Sequence, residues 1–145
     1  MKKEIQKIPR FLLAGTGSGA GKTTVTCAIL QALVNRGLSV ASFKCGPDYI
    51  DPMFHSQVIG AQSRNLDVYL CGEKAIPFLL AKNSKTCDVA LIEGVMGLYD
   101  GQGFDSDNMS SNHIARLTQS PTVLIVNVKG MGRSLAAMLY GYLNF

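Results

Sequence analysis

The sequence predicts an α/β fold, in which a mainly parallel sheet carries helices on both of its faces. Three observations lead to this prediction. Short apolar segments alternate with segments of helical periodicity along the 145 residues. The apolar segments are continuous rather than alternating, as in strands that are buried on both faces. A glycine-rich stretch joins the first apolar segment directly to the first helical one, which agrees with an alternating β and α order.

The first half of the chain supplies two strands and two helices. Residues 11–14 form a short apolar strand, and residues 23–35 have apolar side chains at helical spacing. Gly37 suits the end of that helix. Residues 39–44 read as the second strand, and residues 51–59 as a short helix.

The second half repeats the alternation. Residues 73–82 and 134–143 favour helices, and residues 89–92 and 123–128 are apolar runs of the buried-strand type. Residues 101–112 are polar and contain glycine, so we predict a loop, either a plain connection or one that carries part of a site. The last helical pattern stops near residue 145, as in a sheet that is cut short or completed by another segment.

Composition excludes several classes of protein. Hydrophobic residues make up 47%, which is enough for a core, and the length suits one domain. The net charge is +4, but apart from Lys2, Lys3, Lys7 and Arg10 the basic residues are scattered, so we expect no nucleic-acid partner. No apolar run approaches the roughly 18 residues that a membrane span needs, so we expect no membrane partner. The four cysteines lack zinc spacing, and we expect reduced, mostly buried thiols in a cytoplasmic protein.

Residues 15–24 read GTGSGAGKTT between the first strand and the first helix, which predicts a phosphate-binding loop of the P-loop NTPase type. Backbone N–H groups of such a turn surround a phosphate, and the helix N-terminus adds donors. Lys22 would reach the β- and γ-phosphates of ATP, and the Thr23 hydroxyl would bind Mg²⁺. The nucleotide-binding residues that we predict are Gly17, Ser18, Gly19, Ala20, Gly21, Lys22, Thr23 and Thr24. The loop is one residue longer than the common pattern, which indicates a subgroup of these enzymes.

A second segment, FKCGPDYIDP at residues 43–52, follows the second predicted strand. Lys44 would project at the carboxyl edge of the sheet beside the phosphate loop. Asp48 and Asp51 are three residues apart and can face one side of a helical turn. We predict that at least one of them serves Mg²⁺, with Asp48 as the metal ligand. A helix N-cap is the alternative role for Asp51.

A third segment, DVALIEGVMGLYD at residues 88–100, has the form of a Walker B strand that ends at Glu93. A charge at the end of an apolar strand needs a partner, and Mg²⁺ beside the phosphate loop is the natural one. An ion pair with Lys22 or Lys44 is the alternative. Asp100 could face metal or substrate. His55 and His113 are isolated in the sequence, so we assign them to surface or structural positions.

Together these motifs resemble the cobyrinic acid a,c-diamide synthase family. The resemblance rests on AGTGSGAGKTT at residues 14–24, FKCGPDYIDPMFH at 43–55, SRNLD at 63–67 and EGVMGLYDG at 93–101. It implies that ATP phosphorylates a peripheral carboxylate of a corrin-type or related tetrapyrrole acid, and that ammonia then attacks the acyl phosphate in cobalamin biosynthesis. The catalytic residues that it implies are Lys22, Lys44, Asp48, Asp51, Glu93 and Asp100. Thr23, Asp48 and Glu93 would hold the metal.

The family also carries a C-terminal glutaminase domain, and no part of this sequence resembles it. The resemblance therefore implies that residues 1–145 are the amino-terminal part of the synthetase domain, with glutamine-derived ammonia supplied elsewhere; a homodimer is left open. Two alternatives share the loop. A dethiobiotin synthetase would carboxylate a diamine, but the GPDYIDP segment argues against it. A dimerising ATPase of the partitioning kind carries a second lysine where this chain has Gly17.

Overall fold

A computed structural model describes residues 8–145 of the chain, so Lys2, Lys3 and Lys7 lie outside the described residues. Strands and helices alternate, as the sequence predicts. In chain order the elements are β1 (Arg10–Gly15), α1 (Lys22–Asn35), β2 (Val40–Cys45), α2 (Ile50–Phe54) with a π-helical turn (His55–Ile59), β3 (Gln62–Leu66), α3 (Val68–Cys71), α4 (Ala75–Ser84), β4 (Val89–Gly97), α5 (Ser111–Thr118), β5 (Thr122–Ile125) and α6 (Ser134–Asn144).

The five strands form one parallel sheet in the order β3-β2-β4-β1-β5. β4 lies between β1 and β2, so Glu93 is the lateral neighbour of Leu13 on one side and of Lys44 on the other. Because all strands run the same way, their carboxyl ends meet at one edge of the sheet. The fold therefore brings the three predicted motifs to a common edge.

Apolar side chains cover both faces of the sheet. Alternate residues of β1 point to opposite faces, as strand geometry requires. Leu12 belongs to the core on the side of α4 and α5, with Ile76 and Ile114 packed there. Leu13 belongs to the core on the side of α1, together with Leu30. Each such buried aliphatic side chain stabilises the fold by about 1.5–3 kcal/mol. The predicted parallel sheet with helices on both faces is confirmed.

Two predicted strand ends were wrong. β4 does not stop at residue 92 but continues through Glu93 to Gly97, with a shift of register relative to β1 after Leu13. β5 ends at Ile125 rather than at residue 128. The reason is that β1, its pairing partner, ends at Gly15 opposite Ile125, so the following residues have no strand to pair with.

Three elements were not predicted from the sequence. β3 is an edge strand of sequence QSRNL, in which Ser63 and Leu66 are buried. α3 is a single turn that Asp67 caps by accepting a hydrogen bond from Leu70 N at 3.1 Å. The loop predicted over residues 101–112 is wrong at its end, because α5 begins at Ser111. Ser110 Oγ caps that helix by accepting from His113 N at 3.1 Å.

The cysteines are unpaired, but they are not mostly buried as expected. Cys45 is buried, Cys27 and Cys87 are half-buried, and Cys71 is exposed. Burial raises the pKa of the Cys45 thiol to about 12, so this thiol favours its protonated form even though it lies next to Lys44. Within residues 8–145, every helix is too short or too polar to cross a lipid bilayer.

Candidate functional site

The predicted phosphate loop is a tight turn between β1 and α1. Gly19 and Gly21 have φ values of 74° and 96°, in the left-handed region that favours glycine, and Gly21 is the N-cap of α1. The turn folds back on Gly15, where an added Cβ would lie 3.0 Å from Ala20 Cβ. The first turn of α1 contains no acidic residue to compete with a bound anion. The loop therefore fits a phosphate group at the positive end of a 14-residue helix.

Lys22 connects this loop with the end of β4. Its ammonium group donates hydrogen bonds to Gly17 O at 2.9 Å and to Met96 O at 2.5 Å. Burial, followed by the nearby charge of Lys44, lowers the pKa of Lys22. Both acceptors are neutral backbone carbonyls, so an anionic phosphate would be a stronger partner for this ammonium group.

A second lysine joins the acidic residues of the other two motifs. Lys44 Nζ lies 2.6 Å from Asp51 Oδ2 and 2.9 Å from Glu93 Oε1. Thr23 donates a hydrogen bond to the same Glu93 oxygen at 2.7 Å, and its hydroxyl also lies 3.3 Å from Asp51 Oδ2. Glu93 is fully buried and Lys44 nearly so. The ion pair between Glu93 and Lys44, which the sequence left open as an alternative, is therefore present.

The charges in this cluster support one another. Burial disfavours the ammonium of Lys44, but hydrogen bonds to Asp51 and Glu93 outweigh that effect and raise the pKa of Lys44. Burial likewise opposes the charge on Asp51, yet the hydrogen bond from Lys44 and its charge hold the pKa of this carboxyl below its usual value. Lys44 and Asp51 therefore both favour their charged forms.

Asp48 lies beside this cluster, at the start of α2. Its Oδ1 accepts hydrogen bonds from Ile50 N at 2.9 Å and Asp51 N at 3.4 Å, at the start of α2. Its Oδ2 lies 3.7 Å from Lys44 Nζ. The alternative of Asp51 as an N-cap is therefore wrong, because Asp51 lies inside the first turn and Asp48 satisfies the backbone there. Asn65 of β3 holds the same turn by donating to Gly46 O and Asp48 O, both at 2.7 Å.

Asp100 lies at the same edge but contacts the backbone. Its Oδ2 accepts a hydrogen bond from Gly97 N at 2.8 Å. An added Cβ on Gly97 would come within 2.5 Å of this oxygen, so a larger residue there would displace the Asp100 carboxylate from Gly97 N. The structure thus brings Lys44, Asp51, Thr23 and Glu93 into direct contact, and it leaves Asp100 beside them at the end of β4.

His55, which the sequence analysis assigned to a surface or structural position, lies next to Glu93. It is fully buried, with Nδ1 2.9 Å from Ser42 Oγ and Nε2 3.7 Å from Glu93 Oε2. Burial lowers the pKa of His55. His113 is also buried, and its Nδ1 accepts a hydrogen bond from Met109 N at 3.0 Å, so neither histidine lies on the surface. The only signal for His55 was that it closes the FKCGPDYIDPMFH segment.

The donors at this edge fit a hard cation. Hydroxyl and carboxylate oxygens of Thr23, Glu93 and Asp51 meet there, and Glu93 Oε2 has no hydrogen-bond partner among the described residues. Over residues 8–145 there is no group of three or more His, Cys, Asp or Glu side chains that could hold a metal ion unaided. Mg²⁺ is commonly bound by one or two carboxylates together with substrate phosphates, so this arrangement suits Mg²⁺ bound with a nucleotide.

Two concave regions adjoin this edge and share Met96. One, of about 490 Å³, is lined by Lys22, Lys44, Asp48 and Tyr49, among others. The other, of about 850 Å³, lies over the loop that follows Asp100 and includes Phe104 and Arg116. Both fall in the size range of small-molecule sites. Two ligands could therefore be held next to each other with Met96 between them.

Comparison with known proteins agrees with the motifs. The chain is 49% identical over 135 residues to a cobyrinate a,c-diamide synthase of Synechococcus. It is 47% identical over 139 residues to one of Thermoplasma volcanium, and 43% identical over 138 residues to a hydrogenobyrinate a,c-diamide synthase of Streptomyces coelicolor. These matches cover 93–96% of this chain but only 28–30% of the relatives. The predicted resemblance to this family is confirmed.

Solved structures agree with the fold. The signal recognition particle receptor FtsY of Elizabethkingia anophelis matches with a TM-score of 0.69 at 15% identity, over 94% of this chain and 47% of that one. FtsY of Thermotoga maritima matches with a TM-score of 0.63 at 17% identity, over 94% of this chain and 49% of that one. In sequence, residues 11–144 match the CobQ/CobB/MinD/ParA nucleotide binding domain. A lysine-bearing phosphate loop, an acidic strand beside it and this match together place the chain in the CobQ/CobB/MinD/ParA nucleotide-binding domain family.

Proposed function

We propose that this chain is the ATP-binding synthetase part of an amidoligase that converts the a and c side-chain carboxylates of cobyrinate or hydrogenobyrinate to amides in cobalamin biosynthesis. The observation that supports this proposal most directly is that Thr23 and Lys44 both contact the same oxygen of Glu93, beside the phosphate loop. The substrate class follows from the names of relatives that are 43–49% identical to this chain. The chain spans less than a third of their length.

The proposed role of each residue follows from its position in the site. Main-chain N–H groups of the loop and the start of α1 would bind the phosphates of ATP, and Lys22 would exchange its carbonyl partners for the β- and γ-phosphates. Thr23, Glu93 and one or both of Asp48 and Asp51 would hold Mg²⁺, which neutralises phosphate charge when it is bound. Lys44 would stabilise negative charge on the transferred phosphoryl group.

The reaction needs a carboxylate of the macrocycle in line with the γ-phosphorus. A substrate carboxylate oxygen attacks that phosphorus, the bond to the β–γ bridging oxygen breaks, and ADP leaves. The resulting acyl phosphate has a good leaving group, so ammonia attacks the carbonyl carbon and inorganic phosphate departs. The shared position of Met96 between the two concave regions supports a macrocycle over the Asp100 loop with its carboxylate directed towards Lys44. We assign the release of ammonia from glutamine to a separate glutaminase domain.

The test uses the intact protein with ATP, Mg²⁺ and either cobyrinate or hydrogenobyrinate. With glutamine or ammonium chloride we expect ADP release in step with amide formation, followed by mass spectrometry. With hydroxylamine in place of ammonia we expect a hydroxamate, which reports the acyl phosphate. Absence of amide with every tetrapyrrole polycarboxylate tested, nickel sirohydrochlorin included, would overturn the proposal. Carboxylation of a diaminononanoate would favour a dethiobiotin synthetase, and ATP-dependent dimerisation without amide product would favour a partitioning ATPase.

A further inference from the structure

His55 and Glu93 face each other in a closed space beneath the site. The imidazole begins the π-helical turn after α2 and is fully buried, as is the Glu93 side chain. His55 Nε2 lies 3.7 Å from Glu93 Oε2, and neither atom has a hydrogen-bond partner among the described residues. A donor and an acceptor therefore stand opposite each other at a distance slightly too long for a hydrogen bond.

The hydroxyl of Ser42 can pair with either tautomer of His55, because a hydroxyl both donates and accepts hydrogen bonds. It lies 2.9 Å from His55 Nδ1, on the opposite side of the ring from Glu93. If Ser42 donates to Nδ1, the proton sits on Nε2 and points at the carboxylate. The other tautomer would set a nitrogen lone pair against a carboxylate oxygen and leave both unpaired. Since buried unpaired polar groups are costly, the Nε2–H form is favoured.

We propose that His55 is a positioning residue for phosphoryl transfer, because its Nε2–H holds the inner oxygen of Glu93 while the outer oxygen faces Thr23 and Lys44. The terminal torsion of a glutamate is broad, and the contacts of Oε1 with Thr23 and Lys44 leave Oε2 of Glu93 without a partner of its own among the described residues. The hydrogen bond forms when the distance from Nε2 to Oε2 shortens from 3.7 Å by about 0.5–0.8 Å. The proposal rests on the proposed function only in that Glu93 is taken as the carboxylate of the cation site.

The local backbone supports this role. The π-helical turn starts at His55, and the carbonyl of His55 accepts a hydrogen bond from Ala61 N at 2.9 Å. Such turns occur frequently at functional sites, where they change the direction of a side chain. The charged groups that face the ring are Glu93 of β4, Lys44 of β2, and Asp48 and Asp51 from the start of α2. A donor inside this set would orient Glu93 Oε2 while Oε1 keeps its contacts with Thr23 and Lys44.

Two variants of His55 separate positioning from packing. His55→Gln places an amide nitrogen near the position of Nε2, so it keeps a donor for Glu93. His55→Asn places one near Nδ1, so it keeps the contact with Ser42 and loses the one with Glu93. Removal of such an outer partner commonly costs about 10–100-fold in metal affinity or activity. In the intact protein we therefore expect His55→Asn to raise the half-saturating Mg²⁺ concentration, or to lower kcat, by about 10-fold, with KM for ATP changed far less.

For His55→Gln we expect both quantities to stay within about 3-fold of the unmodified protein, with His113→Gln as a control outside the site. Equal losses in His55→Asn and His55→Gln, or no loss in either, would overturn the proposal.

A second measurement needs neither a variant at His55 nor activity. Nitrogen-15 NMR of the imidazole rings reports the tautomer, and with two histidines in the chain His113→Gln assigns the signals. We expect a proton on Nε2, which faces Glu93 Oε2. A ring whose only proton is on Nδ1 would overturn the proposal. Failure to amidate any tetrapyrrole would instead count against the proposed function, because the tautomer and the Mg²⁺ dependence of ATP hydrolysis do not require that substrate.

Discussion

Lys44 and Glu93 are paired side by side on adjacent parallel strands, and Lys44 Nζ lies 2.9 Å from Glu93 Oε1. Glu93 is fully buried, so its charge would be strongly unfavourable without this partner. The same ammonium group lies 2.6 Å from Asp51. One lysine therefore balances two carboxylates at the edge where the phosphate loop ends.

Removal of that lysine charge should destabilise the fold. We expect Lys44→Met to lower the free energy of unfolding by about 3–5 kcal/mol, because it leaves a buried carboxylate without its cation. Urea unfolding at neutral pH without Mg²⁺ measures this change. Lys74→Met, at an exposed lysine before α4, is the matched control and should change stability by less than about 0.5 kcal/mol. Similar stabilities of the two variants would mean that Lys44 does not balance Glu93.

Asp51 should make stability depend on pH in the acid range. Despite burial, Lys44 holds the pKa of Asp51 below its usual 3.8, so the folded state favours the ionised carboxyl. The resulting stabilisation is present above the unfolded value and is lost as the pH falls through the folded value. We therefore expect the stability difference between the unmodified protein and Asp51→Asn to be constant above about pH 5 and to shrink below about pH 4.

Urea unfolding across this pH range tests the sign, with the exposed Asp105→Asn as the matched removal of a carboxylate. A difference that widened in acid would contradict the assignment.

The sequence predicted those parts of the fold whose residue types follow directly from their position in the sheet or in a tight turn. Residues 11–14 are apolar because their strand lies inside the sheet, and the phosphate loop is recognisable because its glycines meet a backbone requirement. The proximity of Lys44 and Glu93 could also be predicted, because parallel strands bring their carboxyl ends together. Nothing in local periodicity indicates β3, whose polar residues satisfy an edge position.

The supporting contacts of the site could not be predicted in the same way. Asn65 fixes the turn before Asp48 from a strand 17 residues further on, and His55 reaches Glu93 across 38 residues of sequence. Both contacts depend on the order of strands and on the direction of the π-helical turn, which no short window of sequence contains. The sequence shows that these residues are polar, but it does not show which residues they contact.

Gly94 should be required for packing rather than for chemistry. A Cβ at this position would lie 2.5 Å from Ser111 Oγ and 3.0 Å from Leu13 O. Ser111 cannot move freely, because its hydroxyl hydrogen-bonds with both N and O of Val95. We therefore expect Gly94→Ala to lower the free energy of unfolding by about 1–3 kcal/mol, through overpacking between β4 and α5.

Gly141→Ala is the matched control for this change. Gly141 lies in α6, and an added Cβ would meet nothing within 4 Å. Alanine favours a helix over glycine by about 0.5–1 kcal/mol, so this variant should be slightly more stable. Thermal unfolding of both variants in the intact protein measures the contrast, and equal effects of the two substitutions would show that the space around Gly94 is not limiting.

The hydroxyl of Thr23 should be needed for nucleotide binding with Mg²⁺, but not for the fold. It donates to Glu93 Oε1 at 2.7 Å and lies at the start of α1, where its side chain is exposed. Thr23→Ser retains the hydroxyl, whereas Thr23→Ala removes it and leaves the helix intact. We expect Thr23→Ala to weaken ATP binding in the presence of Mg²⁺ by about 10-fold or more, because it removes a metal ligand.

Thr23→Ser should remain within about 3-fold of the unmodified protein, and with EDTA in place of Mg²⁺ the three proteins should bind ATP alike. Calorimetric titration measures these affinities. If the loss in Thr23→Ala persisted equally in EDTA, the hydroxyl would be acting on the loop or the phosphates and not through the cation. That outcome would mean that Thr23 is not a ligand of the metal.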